Sequence, residues 1–405
     1  MLPFVSSFAM FGWLTLVVVI TGALFIYMMT GRSKLTDGQR ALRARTALSA
    51  LHGSSRYNLA EHIVFESVNS DGSLSLSLKL TADLHNFFGS MHGGCIASAV
   101  DVATTVAILA YGGFPGVSTS LGVTYVAGCG PDEVVRIVPN VVKLGRTLSF
   151  TECKLYRTSD NTLMARGWHV KHVAAPNRLI ALLLAVRPSI MDLILTRIAS
   201  PGRVIRIGRR TFRFGGPIDG VKEPLHASAF DKVTEPDTGL PRNEAGKLQY
   251  FSKFGEVGRP FQGWDKSLAG SLQLVHGGVA NGDAAPGVWI LRVDKAQANS
   301  FMALHGGCTA SLVDVLGSAV VAFGDAYECG VAVALDVQYA SCAMCGEDVE
   351  WTAQIIKRGG RLVTAEVKAM AIGKSSSGTE RRRLIALGTV TKSLRGLSKT
   401  SAGKT

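Results

Sequence analysis

Acidic residues are scarce in this chain. Its 405 residues carry 30 Asp and Glu against 43 Lys and Arg, and charge of both signs makes up only 18% of the sequence, below the roughly 25% of an average soluble protein. With 47% hydrophobic residues, the composition excludes a chain held unfolded by its own charge. Cysteine is sparse as well. The seven cysteines are an odd number in no disulfide-like spacing, which fits a reducing compartment. "CAMC" at 342–345 has no second pair, so no zinc site or other metal is expected. The net charge of +13 comes without a basic stripe interleaved with aromatics, and no nucleic-acid partner is expected.

Charge is absent altogether from "FAMFGWLTLVVVITGALFIYMM", residues 8–29. As a helix these 22 residues would measure about 33 Å, enough to cross a bilayer core. A cleaved signal peptide would carry Lys or Arg before its apolar run, and none precedes this one. Arg32, Lys34, Arg40, Arg43 and Arg45 follow it, with Asp37 as the single acid among them. The positive-inside rule then predicts a single-pass anchor over 1–31 with the rest of the chain in the cytosol, at the endoplasmic reticulum or the mitochondrial outer membrane. A second basic stretch, 178–213, has eight Arg and only Asp192, together with the short apolar run "LIALLLAV" before Pro188. Two readings of residues 179–213 stand side by side: a segment lying on an anionic membrane face, and a linker helix packed on the domains.

The chain repeats itself. "NFFGSMHGGCIASAVD" (86–101) and "NSFMALHGGCTASLVD" (299–314) agree at 10 of 16 positions. The echo continues from 116–134 to 330–349, from 141–155 to 355–369 and from 163–173 to 384–394. A period above 200 residues is too long for a solenoid and means two copies of one domain. The reading predicts a basic juxtamembrane linker at 32–57, domain one at 58–173, an inter-domain segment at 174–250, domain two at 251–395 and a tail at 396–405.

Within each copy, short alternating runs such as "GSLSLSLKL" (72–80) and "GVWILRV" (287–293) read as strands. "CIASAVDVATTVAILAY" (95–111) is instead small and apolar on every face, which predicts a helix buried all round and wrapped by a curved antiparallel sheet. Strands are expected at 117–126, 134–143, 147–157 and 163–172. The fold class is thus α+β, a wrapped helix occurring twice.

Asp101 and Asp314 are the only charges in the two predicted helices, 95–111 and 308–323. A buried carboxylate costs several kcal/mol or takes up a proton, so each needs a partner. The Gly pair before each helix leaves N–H groups free at a helix N-terminus, where negative charge is favoured. Gly93 and Asp101, eight residues apart, would lie roughly 12 Å apart along one helix. Two antiparallel copies would bring each Gly pair to the other copy's Asp. "VHGG" at 275–278 falls on a strand-to-turn position and is a decoy. Cys95 and Cys308 near the helix starts admit a thiol nucleophile beside His92 as a rival reading.

The pattern Asn-x5-His-Gly-Gly-x7-Asp, followed by "GVS", resembles the hotdog-fold acyl-CoA thioesterases of the phenylacetic-acid-degradation and thioesterase-superfamily-member-2 type, over about 58–173 and 260–395. That resemblance implies a five- or six-stranded sheet around a long helix and pairing of two copies, here an intramolecular pseudo-dimer, with further dimerisation left open. It implies an acyl-CoA substrate and no cofactor, coenzyme A being part of the substrate. Carried over by position, the site residues are Asn86, His92, Gly93, Asp101 and Ser118 in repeat one and Asn299, His305, Gly306 and Asp314 in repeat two. Ala332 stands where Ser118 does. One composite site, Asn299 and Gly306 with Asp101 and Ser118, is complete, and its counterpart lacks the hydroxyl. Lys143 and Arg146, and Lys357, Arg358 and Arg361, are candidates for the coenzyme A phosphates. The implied function is a membrane-anchored thioesterase acting on long-chain acyl-CoA; the alternative is a non-catalytic scaffold that binds acyl-CoA or an acyl carrier.

Overall fold

The computed structural model describes residues 35–51, 57, 59–86, 89–173, 203–207, 210–214, 263–264, 268, 271–280, 283–299, 301–322, 330–374 and 379–394. The expected membrane span at 8–29 lies outside the described residues. So does most of 179–213, of which two short strands, β7 (Arg203–Ile207) and β8 (Arg210–Phe214), are described as an antiparallel hairpin.

Repeat one contributes β1 (Ile63–Val68), β2 (Leu74–Lys79), β3 (Val117–Tyr125), β4 (Val134–Leu144), β5 (Leu148–Arg157) and β6 (Leu163–His172). Repeat two contributes β9 (Leu272–Ala280), β10 (Asp283–Arg292), β11 (Val331–Tyr339), β12 (Asp348–Arg358), β13 (Leu362–Lys374) and β14 (Glu380–Ser393). All twelve form one sheet in the order β1-β2-β4-β5-β6-β3-β11-β14-β13-β12-β10-β9. The second half repeats the first in reverse, as a twofold relation demands. The join is the antiparallel pair β3–β11, with Thr124 opposite Ala334 and Ser120 opposite Gln338. The decoy at 275–278 lies within β9, in a strand as expected.

Each six-stranded half packs on one long helix, α2 (Gly93–Ala110) or α3 (Gly306–Ala322). Alternation sets what reaches the helices. In β5, Thr151, Cys153 and Leu155 are buried while Phe150 and Glu152 are exposed. Sixteen residues of α2 are buried, so the helix is apolar all round because protein surrounds it. It is long and apolar enough to cross a membrane by composition, yet it is a core helix.

The helices cross closely and antiparallel. A Cβ on Gly94 would lie 2.8 Å from Ser311 Cα, and one on Gly307 would lie 3.0 Å from Ser98 Cα. Ser98 and Ser311 hydroxyls meet at 3.3 Å in the crossing. Trp264, from the start of domain two, braces this seam: its indole N–H donates to Ser311 Oγ at 3.0 Å, its backbone N–H donates to His85 O at 3.1 Å, and Tyr57 packs edge-on at 5.3 Å.

The stretch read as a linker contains a helix, α1 (Asp37–Leu51). Thr36 and Gln39 exchange side-chain to backbone hydrogen bonds of 3.0 and 3.3 Å at its start, a capping box. Ala44, Ala47 and Leu48 bury its inner face. Arg40 stacks 4.6 Å from the Tyr111 ring and Arg45 5.1 Å from Phe65, so part of the basic cluster covers repeat one.

Because the crossing has no room for a methyl group, Gly94→Ala is expected to lower stability by about 1–3 kcal/mol, read as a depressed melting temperature of the full chain. Gly360→Ala, at an open position with nothing within 4 Å, serves as the comparison; equal melting of the two variants would refute the tight crossing.

Candidate functional site

Antiparallel crossing delivers each Asp to the other helix's N-terminus. Asp101 Oδ2 accepts the Gly307 N–H at 3.0 Å. A Cβ on Gly306 would lie 3.0 Å from Asp101 Oδ2 and 2.9 Å from Ser118 Oγ. On the other side a Cβ on Gly93 would lie 2.6 Å from Asp314 Oδ2 and 3.6 Å from the Ala332 methyl. The structure therefore brings Gly306, Asp101 and Ser118 together, and Gly93, Asp314 and Ala332.

The amide that meets the carboxylate is that of the second glycine. His305 occupies the position before α3 and its Nδ1 accepts from Gly307 N at 3.0 Å, while His92 accepts from Gly94 N at 2.9 Å. Both histidines are helix caps, and Nδ1 as acceptor leaves the ring proton of a neutral imidazole on Nε2. Gly306 N–H, one residue earlier, makes no hydrogen bond with the described residues. Tyr339 O–H donates to Gly306 O at 2.9 Å, and Tyr125 O–H to Gly93 O at 3.0 Å, pinning each turn. Asn299 Oδ1 accepts from Phe301 and Ala303 N–H at 2.9 and 3.2 Å, and Asn86 Oδ1 from Ser90 N–H at 3.0 Å. Each Asn thus shapes the loop that leads into its Gly pair.

Three residues at the first site escaped the sequence reading. Lys171, inward-facing on β6, puts Nζ 3.2 Å from Asp101 Oδ1 and donates to Thr105 Oγ1 at 2.9 Å. His169, also inward, lies between Thr104 and Ser118, with Nδ1 2.8 Å from Thr104 Oγ1 and Nε2 2.9 Å from Ser118 Oγ. Thr104 gives its own proton to Val100 O at 2.7 Å, so His169 Nδ1 is the donor to Thr104 and Nε2 accepts from Ser118. The signal was available: alternation in "GWHVKHV" turns His169 and Lys171 inward toward Asp101.

Burial pushes the Asp101 pKa up, but the Lys171 ammonium, followed by His169 and His305, reverses this and holds it well below the usual carboxylate value. Burial lowers His169 to about 3, with Lys171 adding to the effect. His305 is lowered too, by burial first. Both histidines are neutral at pH 7, and Lys171 is the cation facing Asp101 among the described residues.

The second site keeps the ion pair and the His cap and lacks counterparts of Ser118, His169 and Thr104. Lys392 Nζ donates to Asp314 Oδ1, and His92 Nδ1 lies 3.7 Å from Oδ2. Where repeat one has Ser118, His169 and Thr104, repeat two has Ala332, Val390 and Gly317. These replacements fit one another: a Cβ on Gly317 would lie 2.2 Å from Val390 Cγ1, so Val390 fills the space that a Thr here would need. An apolar plug replaces the hydroxyl–imidazole–hydroxyl chain.

Cys308 is fully buried and burial raises its thiol pKa far above the ordinary value, which disfavours a thiolate there; Cys95 is fully buried as well. Lys143 and Arg146 sit exposed on the β4–β5 hairpin, and Lys357, Arg358 and Arg361 on the β12–β13 hairpin. Pairing of His172 with Val117 and with Leu148 brings the first hairpin to the sheet end that carries Ser118 and Lys171. The second hairpin reaches the end carrying Ala332 and Lys392, through Ser393 paired with Val331 and Leu362.

Comparison with known proteins follows the same doubling. The thioesterase superfamily model matches residues 88–164 and again 301–374. Human acyl-coenzyme A thioesterase 13 is 35% identical over 103 residues, 25% of this chain and 74% of that protein. The mouse protein of the same name is 33% identical over 101 residues, 25% of this chain and 72% of its own. Among solved structures, zebra fish thioesterase superfamily member 2 is 26% identical and covers 37% of this chain and 96% of its own, with a TM-score of 0.29. A hot dog fold protein of unknown function from Alicyclobacillus acidocaldarius is 13% identical, covers 81% and 95%, and has a TM-score of 0.44. The chain belongs to the thioesterase superfamily and carries its domain twice.

Proposed function

We propose that the protein hydrolyses acyl-CoA to the free acid and coenzyme A, and that it does so chiefly at the site built from Asp101, Ser118 and the start of α3. The observation that carries this reading is an ionised carboxylate lying beside a helix N-terminus whose first N–H, on Gly306, has no partner among the described residues. That N–H and the helix dipole suit an oxyanion developing on the thioester carbonyl. Asp101 then acts on the carbonyl carbon, by taking the proton of an attacking water or by attacking itself. As base, Asp101 takes the water's proton and passes it to the departing thiolate, giving free acid and coenzyme A thiol. As nucleophile, it forms a mixed anhydride as the thiolate leaves, and water then cleaves that anhydride to free acid, restoring the carboxylate and supplying the proton that makes the thiol.

Ser118 is committed as a donor to His169, so its oxygen faces the site as an acceptor, suited to the second hydrogen of a water held against Asp101. Ala332 and Val390 cannot do this. The Asp314 site is therefore the weaker one. Lys143 and Arg146 are proposed to bind the phosphates of coenzyme A entering the first site, and Lys357, Arg358 and Arg361 those at the second.

Long acyl chains are the proposed substrates, and a membrane the proposed location. A charge-free run at 8–29 followed by basic residues supports an anchor facing the cytosol. Long-chain acyl-CoA partitions into bilayers, each CH₂ contributing about 0.8 kcal/mol, so an anchored hydrolase meets it where it accumulates.

Asp101→Asn is expected to lower kcat/KM for palmitoyl-CoA by about 100-fold or more, and Asp314→Asn to cost only a small factor; equal losses would refute a dominant site. Across acyl chains of two to eighteen carbons, kcat/KM should rise with length. An optimum at acetyl or phenylacetyl groups would overturn the long-chain proposal and leave the site assignment standing.

A further inference from the structure

Lys171 lies on the buried face of β6 and is 5% exposed. Burying an ammonium group is costly, and a buried lysine commonly loses its proton unless it is paired. Here it pairs with Asp101 Oδ1 at 3.2 Å and Thr105 at 2.9 Å. Among the described residues, every other group facing Asp101 is neutral at pH 7. From β6 there is His169, with Nε2 3.6 Å from Oδ1. From β3 there is the Ser118 hydroxyl at 3.5 Å. From the start of α3 come the Gly307 N–H and His305, whose Nδ1 is 3.5 Å from Oδ2. From β11 there is Tyr339, a phenol whose pKa burial raises well above its ordinary value.

We propose that Lys171 is a positioning residue for the hydrolytic reaction, holding Asp101 as the anion and fixing it by Oδ1 so that Oδ2 is presented at the start of α3 beside the Gly306 N–H. The inference rests on the reading of Asp101 as the reactive carboxylate. It divides the site into two functional parts. The Lys–Asp pair sets the charge state and is present in both repeats, as Lys392 with Asp314. The Ser118–His169–Thr104 chain orients the water and is present in one.

Without the ammonium group, burial is left to dominate, and the carboxylate takes up a proton as the pH falls into the ordinary assay range. An opposite charge at this distance shifts a carboxylate by about one to three pH units, and each unit is tenfold in the ionised fraction. The sign is fixed: activity carried by the anion is present above the Asp101 pKa and lost below it. Wild-type kcat/KM should therefore show no acidic limb from Asp101 between pH 5 and 8, whereas Lys171→Met should show one. Two units below that new limb, kcat should be roughly 100-fold down, with KM little changed.

The test is the pH profile of kcat and KM for palmitoyl-CoA, measured with the full chain in detergent as released coenzyme A. Folding of each variant is followed by its thermal melt. Lys171→Arg, which keeps the cation, should retain the wild-type profile shape, and methylammonium added to Lys171→Ala should move the acidic limb back down. A folded Lys171→Met with the wild-type pH profile overturns the proposal. If Lys171→Met does not fold, a folded Lys171→Arg that gains the raised limb overturns it instead. Failure of the wild-type chain to release coenzyme A strikes the hydrolase reading, whereas full activity in Asp101→Asn strikes the assignment of Asp101 as the reactive carboxylate and with it the role of Lys171.

Discussion

The close antiparallel crossing of the two central helices is the constraint on which the rest depends. Gly94 against Ser311 and Gly307 against Ser98 let the backbones approach until no methyl group fits between them. Only at that separation does an Asp eight residues into one helix reach the first turn of the other. There it gains a backbone N–H, a helix dipole worth up to about 2 kcal/mol in a partly buried setting, and a neutral His cap. The continuous sheet serves the same end: the β3–β11 pairing keeps the two halves in register, so that the strand bearing Ser118 runs beside the partner repeat's Gly306.

Doubling the domain within one chain frees the two sites to diverge. A homodimer must carry the same residues at both, whereas here the change from Thr104, Ser118 and His169 to Gly317, Ala332 and Val390 affects one site alone. Val390 and Gly317 go together, because Val390 cannot coexist with a Cβ at 317. Both repeats carry the Asp–Lys pair. Removing one member of a buried ion pair leaves the other uncompensated, at a cost of about 3–5 kcal/mol, so the pair supports folding at both sites.

Much of this was legible in the chain's similarity to itself. Asp101, Asp314 and the Gly pairs stand out as the only charges in apolar helices and as turns at their mouths, and a distance argument along one helix already calls for a partner repeat. Ser118 facing Ala332 is visible on alignment. Lys171 and His169 were missed because the reading stopped at the motif, although strand alternation turns both inward. Thr104 carries no signal of its own on an all-buried helix. The role of Gly307 rather than Gly306 in meeting Asp101 is a matter of which N–H a helix start points inward, which sequence does not encode. Helix α1 hid behind its charges, since Arg40 and Arg45 cover aromatic rings instead of facing solvent alone.

The central claim, that hydroxyl and imidazole groups around an otherwise equivalent Asp–Lys pair separate the stronger site from the weaker one, is tested by giving the first site the residues of the second. The chain carrying Thr104→Gly, Ser118→Ala and His169→Val keeps Asp101 and Lys171, and repeat two demonstrates that this set packs around such a pair. Its kcat/KM for palmitoyl-CoA should fall to the level of Asp101→Asn. A folded triple variant that hydrolyses the substrate at the wild-type rate would contradict the account.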